Sequence, residues 1–294
     1  LASSNGNNYL DIAEINRTSI TGSFKVNNPK YRLKHLLTTS LLFDKKYLSP
    51  FTFSYSLKRE FHNHFNLYFN AGKVYRFPTI NDLFWNPGGN LNLIPEEGYT
   101  SDIGIIWNKK INKVIFSFEP SLYSRWIDNW ILWQPTGSFW SPMNVKKVWN
   151  RGLETSSKVH FANKKTTYDF TLKTAYNLST NIKVYNYNNS LDKQLIYTPH
   201  YKLVFKSQIS YKEFTFTYLH NYTGYVFTSR DNENFLPSFN LGRLFLSFRV
   251  KLKNNSAKIF YKINNLYNTN YQVVMNRPMP LINHEIGINF KINK

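Results

Sequence analysis

The 294-residue chain contains no cysteine, which excludes disulfide frameworks, thiolate metal sites and cysteine nucleophiles together. It has no long apolar run either. No stretch approaches the roughly 18 uninterrupted apolar residues of a membrane helix, and the mean hydropathy is -0.45. Helical membrane proteins are thereby excluded, whereas a membrane β-barrel is not, because only alternate residues of its strands face lipid. Acidic residues are scarce, 17 against 37 Lys plus Arg, for a net charge of +20. A nucleic-acid protein gathers such an excess in blocks or stripes. Here the cations stand singly or in pairs between apolar runs, as at Lys45-Lys46, Lys109-Lys110, Lys146-Lys147 and Lys164-Lys165, which argues against a nucleic-acid partner. Two explanations of the excess stay open: the codon bias of an AT-rich genome, and attraction to an anionic membrane surface.

Signatures of turnover are missing as well. The chain holds no Gly-x-Ser-x-Gly elbow, no His-Glu-x-x-His and no phosphate loop, so it is expected not to be an enzyme, and no cofactor is implied. No metal site is expected. His62 and His64 share a strand face but flank a short turn, and Glu96-Glu97, Asp231 and Glu233 lack the Asp-x-Asp-x-Asp-Gly spacing of a calcium loop. The chain begins at Leu1 without a start methionine or a secretory-signal succession, and so reads as a fragment or processed product.

What the sequence has in abundance is aromatic residues, 18%, within a 42% hydrophobic content, enough apolar surface to offset the ordering of a folded chain. These residues alternate with period two. Phe51, Phe53, Tyr55 and Leu57 interleave with Thr52, Ser54, Ser56 and Lys58, and Ile286, Ile288, Phe290 and Ile292 interleave with Glu285, Gly287, Asn289 and Lys291. The pattern predicts about 13 strands, centred near residues 17, 38, 55, 69, 103, 120, 154, 171, 204, 218, 245, 261 and 287, and no amphipathic helix. Connections near 27–32, 60–63, 109–112, 162–165, 211–213 and 253–256 are short. Those near 77–98, 134–146, 180–197, 226–238 and 268–281 are long and alternate with them, with only 44–49 out of line. An all-β meander sorted in this way is the pattern of an antiparallel transmembrane β-barrel, with tight periplasmic turns, large extracellular loops and a periplasmic C terminus. Six of the seven tryptophans, at 85, 126, 130, 133, 140 and 149, cluster around two neighbouring long loops, as an interfacial girdle or a ligand platform would.

The motifs at the strand ends agree. RFPTINDLF at 76–84 places Pro78 where a strand's hydrogen-bond ladder must stop and Asp82 where it accepts bonds from loop backbone. GGNLNLIPEEGYTSDIG follows at 88–104. Together they resemble the Arg-Pro-Thr and Gly-Asn-Pro-x-Leu-x-Pro-Glu motifs of TonB-dependent outer-membrane receptors. Leu91 stands where that family usually has Pro, and Ile94 where Lys is common, while Gly89, Asn90, Leu93, Pro95 and Glu96 match. RWIDNWILW at 125–133, NVKKVWNRGLE at 144–154 and KINNLYNTNYQ at 262–272 resemble further barrel segments. RPMPLINHEIGINFKINK at 277–294 is similar to the closing strand, with the usual terminal aromatic displaced inward to Phe290. Within the family, the chain resembles most the Bacteroidetes receptors that are similar to cobalamin transporters.

The resemblance implies that residues 1–294 are the C-terminal part of a plugged barrel of about 22 strands in the bacterial outer membrane. It implies TonB-energised uptake of a scarce nutrient, with a cobalamin-like ligand favoured over haem or a ferric siderophore. The implied partners are outer-membrane lipid and lipopolysaccharide, the plug domain and first strands that this chain lacks, and TonB through the missing N-terminal region. The expected ligand contacts are polar and aromatic groups on the long loops: Trp85, Asn90, Asn92, Trp133, Trp140, Asn144, Tyr185, Tyr187, Tyr225, Arg230, Tyr271 and Arg277. His200 and His284, near the extracellular strand ends, are either ligands to a haem or cobalt or ordinary polar rim residues. The alternative from a different class is a soluble or surface-attached β-rich adhesion module that binds glycans.

Overall fold

The computed structural model describes residues 2–4, 8–9, 13–44, 48–62, 64–184, 189–252 and 255–292. Thirteen antiparallel strands form one meander in which each strand bonds to its neighbours in sequence. They are β1 Arg17–Asn28, β2 Leu33–Asp44, β3 Thr52–His62, β4 Phe65–Arg76, β5 Glu96–Ile111, β6 Val114–Thr136 and β7 Phe139–Ala162. The rest are β8 Thr166–Lys183, β9 Tyr201–Tyr211, β10 Phe214–Thr223, β11 Phe239–Leu252, β12 Asn255–Asn264 and β13 Asn283–Lys291. Every strand position read from the periodicity falls inside one of these. The sheet is open: β1 and β13 are its edges, each paired on one side only.

Register sorts the side chains onto two unlike faces. Phe69, Ile103, Leu122 and Leu153 lie across β4 to β7 as successive partners, and Phe214, Phe248, Ile259 and Ile288 do the same across β10 to β13. On the reverse face Asn70, Asp102 and Tyr123 are successive partners, and Thr215 opposes Ser247. The apolar face is uncovered, with Leu122 56% and Ile288 54% exposed. Such a face is stable in hydrocarbon, where burying each large side chain contributes about 1.5–3 kcal/mol, and not in water. Towards the long-loop end of this face Trp126 and Trp149 stack at 5.7 Å beside Tyr99, with the Arg151 guanidinium 3.8 Å over Trp149. Aromatic rings with a cation on the apolar face at this height form an interfacial girdle.

Two sequence expectations are corrected here. Residues 134–146 are not a loop: β6 and β7 continue as a ribbon, 23 and 24 residues long, that turns at Gly137, whose φ of 65° needs no Cβ relief. Ladder pairing runs up to Thr136 opposite Phe139. A helix is also present. The single turn α1, Ile80–Phe84, is too short to show helical periodicity and forms because Thr79 and Asp82 make a reciprocal capping box. Buried apolar side chains gather at this end of the molecule, at Phe77, Leu93, Ile131, Leu195 and Ile196, so the tightest packing lies where loops fold onto the ribbon.

Candidate functional site

The rim begins where β4 ends. Arg76 and Glu96 are register partners, and the guanidinium forks onto the carboxylate with Nε to Oε2 at 2.7 Å and Nη2 to Oε1 at 2.6 Å. Glu96 Oε1 also accepts the Ile131 amide of the ribbon at 2.6 Å. Asp82, 5% exposed, accepts the Thr79 amide at 2.8 Å on Oδ2 and the Trp133 indole N–H at 2.8 Å on Oδ1, with Arg76 Nη1 at 3.5 Å. Two buried carboxylates thus share one arginine and reach from the 77–95 loop into the ribbon. Charge-assisted bonds of this kind are stable only as a complete set, since a lone buried charge is costly.

Asparagines finish the join. Asn144 accepts the Ile94 amide at 3.0 Å and donates to the carbonyls of Ile94 at 3.0 Å and Asn129 at 2.7 Å. Asn90 donates to the Pro142 carbonyl at 3.1 Å and accepts the Asn92 amide at 3.0 Å. Gly88, at φ 120°, lies so close to the ribbon that a Cβ would sit 2.1 Å from the Trp140 carbonyl oxygen. Asn90, Trp133 and Asn144, expected as ligand contacts, are therefore brought together and engaged with protein. Asn92 is exposed, and Trp85 is half-buried with its ring edge-on to Tyr9 at 5.7 Å.

The later loops join the same rim. Trp140 packs against Tyr197 at 5.1 Å, the Gln194 amide donates to Asn232 Oδ1 at 2.8 Å, and Asn232 Nδ2 donates back to the Gln194 carbonyl at 3.0 Å. A cavity of about 220 Å³ lies between the ribbon and these loops, lined by Gln134, Met143, Asn144, Lys146, Asn181, Gln194 and Arg230 among others. Asn144 and Arg230 are the expected contacts that meet there. Tyr225 is exposed and edge-on to Phe227 at 5.4 Å and His200 at 5.9 Å. Tyr271 faces Phe239 at 4.7 Å, and exposed Arg277 lies in a small hairpin that pairs 272–274 with 277–278. Tyr185 and Tyr187 lie outside the described residues.

The titratable groups follow local geometry. His200 Nδ1 lies 3.2 Å from the Asn177 carbonyl, which only accepts, so Nδ1 is the donor in this bond. His284 Nδ1 is bonded to the Tyr261 hydroxyl at 2.7 Å. Asp231 caps its own turn, accepting from Ser229 Oγ at 2.5 Å and the Glu233 amide at 3.1 Å. The Ser229 hydroxyl first, then the Glu233 amide, hold its carboxyl below the usual aspartate range. Among the described residues no three His, Asp or Glu converge as a metal site. The sequence reading missed the Arg76–Glu96–Ile131 connection and the Gln194–Asn232 exchange. The first was findable, because Arg76 opens one motif and Glu96 closes the next; the second joins residues 38 apart with no shared pattern.

Comparison with known proteins follows this geometry. Residues 13–266 match the family described as TonB dependent receptor-like, beta-barrel. A stretch of 87 residues is 33% identical to the vitamin B12 transporter BtuB of Vibrio vulnificus (strain YJ016), covering 29% of this chain and 14% of that protein. The copper transporter OprC superposes over 92% of this chain and 47% of its own length, with a TM-score of 0.66 and 15% identity. The siderophore receptor PirA from Acinetobacter baumannii superposes over 92% and 45%, with a TM-score of 0.66 and 12% identity. At such identities the two structures share the fold alone. The chain spans about half the length of these solved receptors. Members of the family are receptors and transporters rather than enzymes, and their barrels sit in the outer membrane. With the family's pattern running through residues 13–266 and its barrel architecture in the sheet, the chain belongs to the TonB-dependent receptor β-barrel family.

Proposed function

We infer that the chain is the C-terminal portion of an outer-membrane receptor that takes up a scarce nutrient with energy from TonB, and that its cargo is a cobalamin-like corrinoid. The observation that carries the ligand is the 33% identity, over 87 residues, to a vitamin B12 transporter, whereas the copper and siderophore receptors are matched by fold. The rim suits such cargo. Trp140, Tyr197 and Tyr225 offer broad aromatic surface beside the polar group of Arg230, the mixture that a bulky ring with polar edges requires. The plug, the remaining strands and the TonB-contacting segment belong to the same gene product or to a partner chain, which also closes the two open edges.

In this reading the long-loop rim faces outward and the short turns face the periplasm. Cysteines placed at Ser138 and Asn234 of the complete receptor react with an impermeant thiol reagent on intact cells, and one at Asn255 does not. Labelling at Asn255 alone inverts the topology. The ligand is tested by uptake in cells carrying the complete receptor with Trp140→Ala, His200→Ala or Arg230→Ala. Selective loss of cobalamin uptake in the Trp140 variant supports the corrinoid. Loss confined to His200→Ala points to haem, and loss confined to Arg230→Ala, with ferric chelates as the affected cargo, points to a siderophore. The soluble glycan-binding alternative requires an aqueous core for the face that exposes Leu122 and Ile288, and a monodisperse, detergent-free monomer that melts cooperatively would restore it.

A further inference from the structure

The polar face of the sheet carries both paired and unpaired cations. Between β1 and β8 several of its cations meet carboxylates, Arg17 with Asp44 at 2.9 Å, Lys34 with Glu60 at 2.7 Å, Arg76 with Glu96 at 2.6 Å and Lys158 with Glu119 at 3.7 Å, while Lys25, Arg125 and Lys173 have none within 4.0 Å among the described residues. From β9 to β12 the same face carries Lys206, Arg243, Arg249 and Lys258, with no carboxylate within 4.0 Å among the described residues, and Lys251 and Lys262, which meet Glu213 at 4.0 Å and Glu285 at 2.6 Å. The unpaired cations lie on the reverse of the apolar face, so attraction to a lipid surface does not explain them.

The unbalanced charge condenses at the short-turn end. A concavity of about 270 Å³ is lined by Lys212, Arg249, Lys251 and Lys258, by the hydroxyls of Ser210, Thr215 and Ser247, and by one carboxylate, Glu213. Glu213 is 4.0 Å from Lys251 and its carbonyl accepts the Arg249 amide at 3.0 Å, so it leaves the other three cations without an acidic partner among the described residues. Arg249 and Lys258 are direct register partners across β11 and β12. Like charges directly opposed on one face of a sheet repel and destabilise it. Among the described residues the relief nearby is aromatic, the Phe245 ring 4.8 Å from Lys258 Nζ and the Tyr211 ring 5.4 Å from Lys212 Nζ.

We propose that this concavity is a binding site for a small oxyanion of the phosphate class. A guanidinium fork fits two oxygens of such an anion, the flanking ammoniums neutralise its charge, and the hydroxyls donate to the remaining oxygens. The size agrees, since 270 Å³ holds a phosphate group with its water and not a folded domain. The site lies at the end of the sheet remote from the long-loop rim, so it does not rest on the corrinoid reading.

The test uses the complete receptor purified in phospholipid-free detergent, with inorganic phosphate titrated against chloride at matched ionic strength. Phosphate binds saturably by calorimetry and raises the thermal midpoint more than chloride does. Arg249→Gln and Lys258→Gln each weaken phosphate binding about tenfold, the loss of one charge-assisted contact. In chloride alone both variants are as stable as the parent or more so, because a repulsion has been removed. Lys109→Gln, at a different short turn, binds phosphate as the parent does. Equal effects of phosphate and chloride, or undiminished binding in both site variants, overturn the proposal. So does a fall in stability of either variant in chloride, which shows that an acidic part of the protein itself already occupies the cations.

Discussion

In the first half of the rim, from Arg76 to Asn144, three of the polar residues that sequence reading assigns to ligand, Asn90, Trp133 and Asn144, are committed to other parts of the protein, while Asn92 is exposed. Asn90 holds Pro142, Trp133 holds Asp82, and Asn144 holds both Ile94 and Asn129. In the second half Tyr225 and Arg277 are exposed, and Arg230 opens onto the cavity with no hydrogen bond or ion pair among the described residues. The contrast separates two tasks that one list of loop residues had merged. Buried polar side chains that satisfy one another fix the shape of the ribbon and the 77–95 loop. Solvated ones on the later loops retain the hydrogen-bonding capacity that a ligand needs.

The comparison breaks first, if it breaks, at Glu96. Glu96→Ala leaves Arg76 without its fork and the Ile131 amide without an acceptor, and is expected to cost about 3 kcal/mol of stability in denaturant titration of the complete receptor. An unchanged midpoint would mean that the first half is not a scaffold. Next is Gly88→Ala. Its Cβ meets backbone, which cannot move aside as a side chain does, and a φ of 120° is strained for alanine; a loss of about 2 kcal/mol is expected by thermal unfolding. Trp133→Phe keeps the ring area but removes the donor to Asp82, for about 1–2 kcal/mol.

The second half predicts the reverse pattern. Arg230→Ala changes stability by less than about 0.5 kcal/mol, as exposed substitutions do, yet weakens ligand binding about tenfold. Smallest is a pH effect at Asp231. Its folded pKa is held below the ordinary value, so the turn's contribution is complete above the usual aspartate range and is lost as pH falls through the lowered value. Asp231→Asn flattens that acid limb in a pH series of thermal melts, and an unaltered limb removes the turn cap as its source.

The sheet was legible from sequence because lipid on one side and polar groups on the other select strict alternation, as Phe65, Leu67 and Phe69 against Asn66, Tyr68 and Asn70 illustrate. The ribbon tip was not. Above the membrane neither face meets lipid, and Pro135, Gly137 and Pro142 interrupt the pattern as a loop would, although Pro135 pairs with Trp140 and Pro142 with Trp133. Helix α1 escaped for want of length, while its cap, Thr79 and Asp82, was visible in the motif. At the site, residue types were readable and their employment was not: nothing in the sequence distinguishes Asn144, which binds three backbone groups, from Asn92, which is exposed.

The most direct test is binding of radiolabelled cyanocobalamin to intact cells carrying the complete receptor, measured with and without Tyr225→Ala combined with Arg230→Ala, and with TonB inactivated. The account predicts saturable surface binding in the parent, binding without accumulation when TonB is inactive, and affinity reduced at least about tenfold in the double variant at unchanged receptor abundance. Full affinity in the double variant would contradict the division of the rim, and no saturable binding in the parent would contradict the corrinoid assignment.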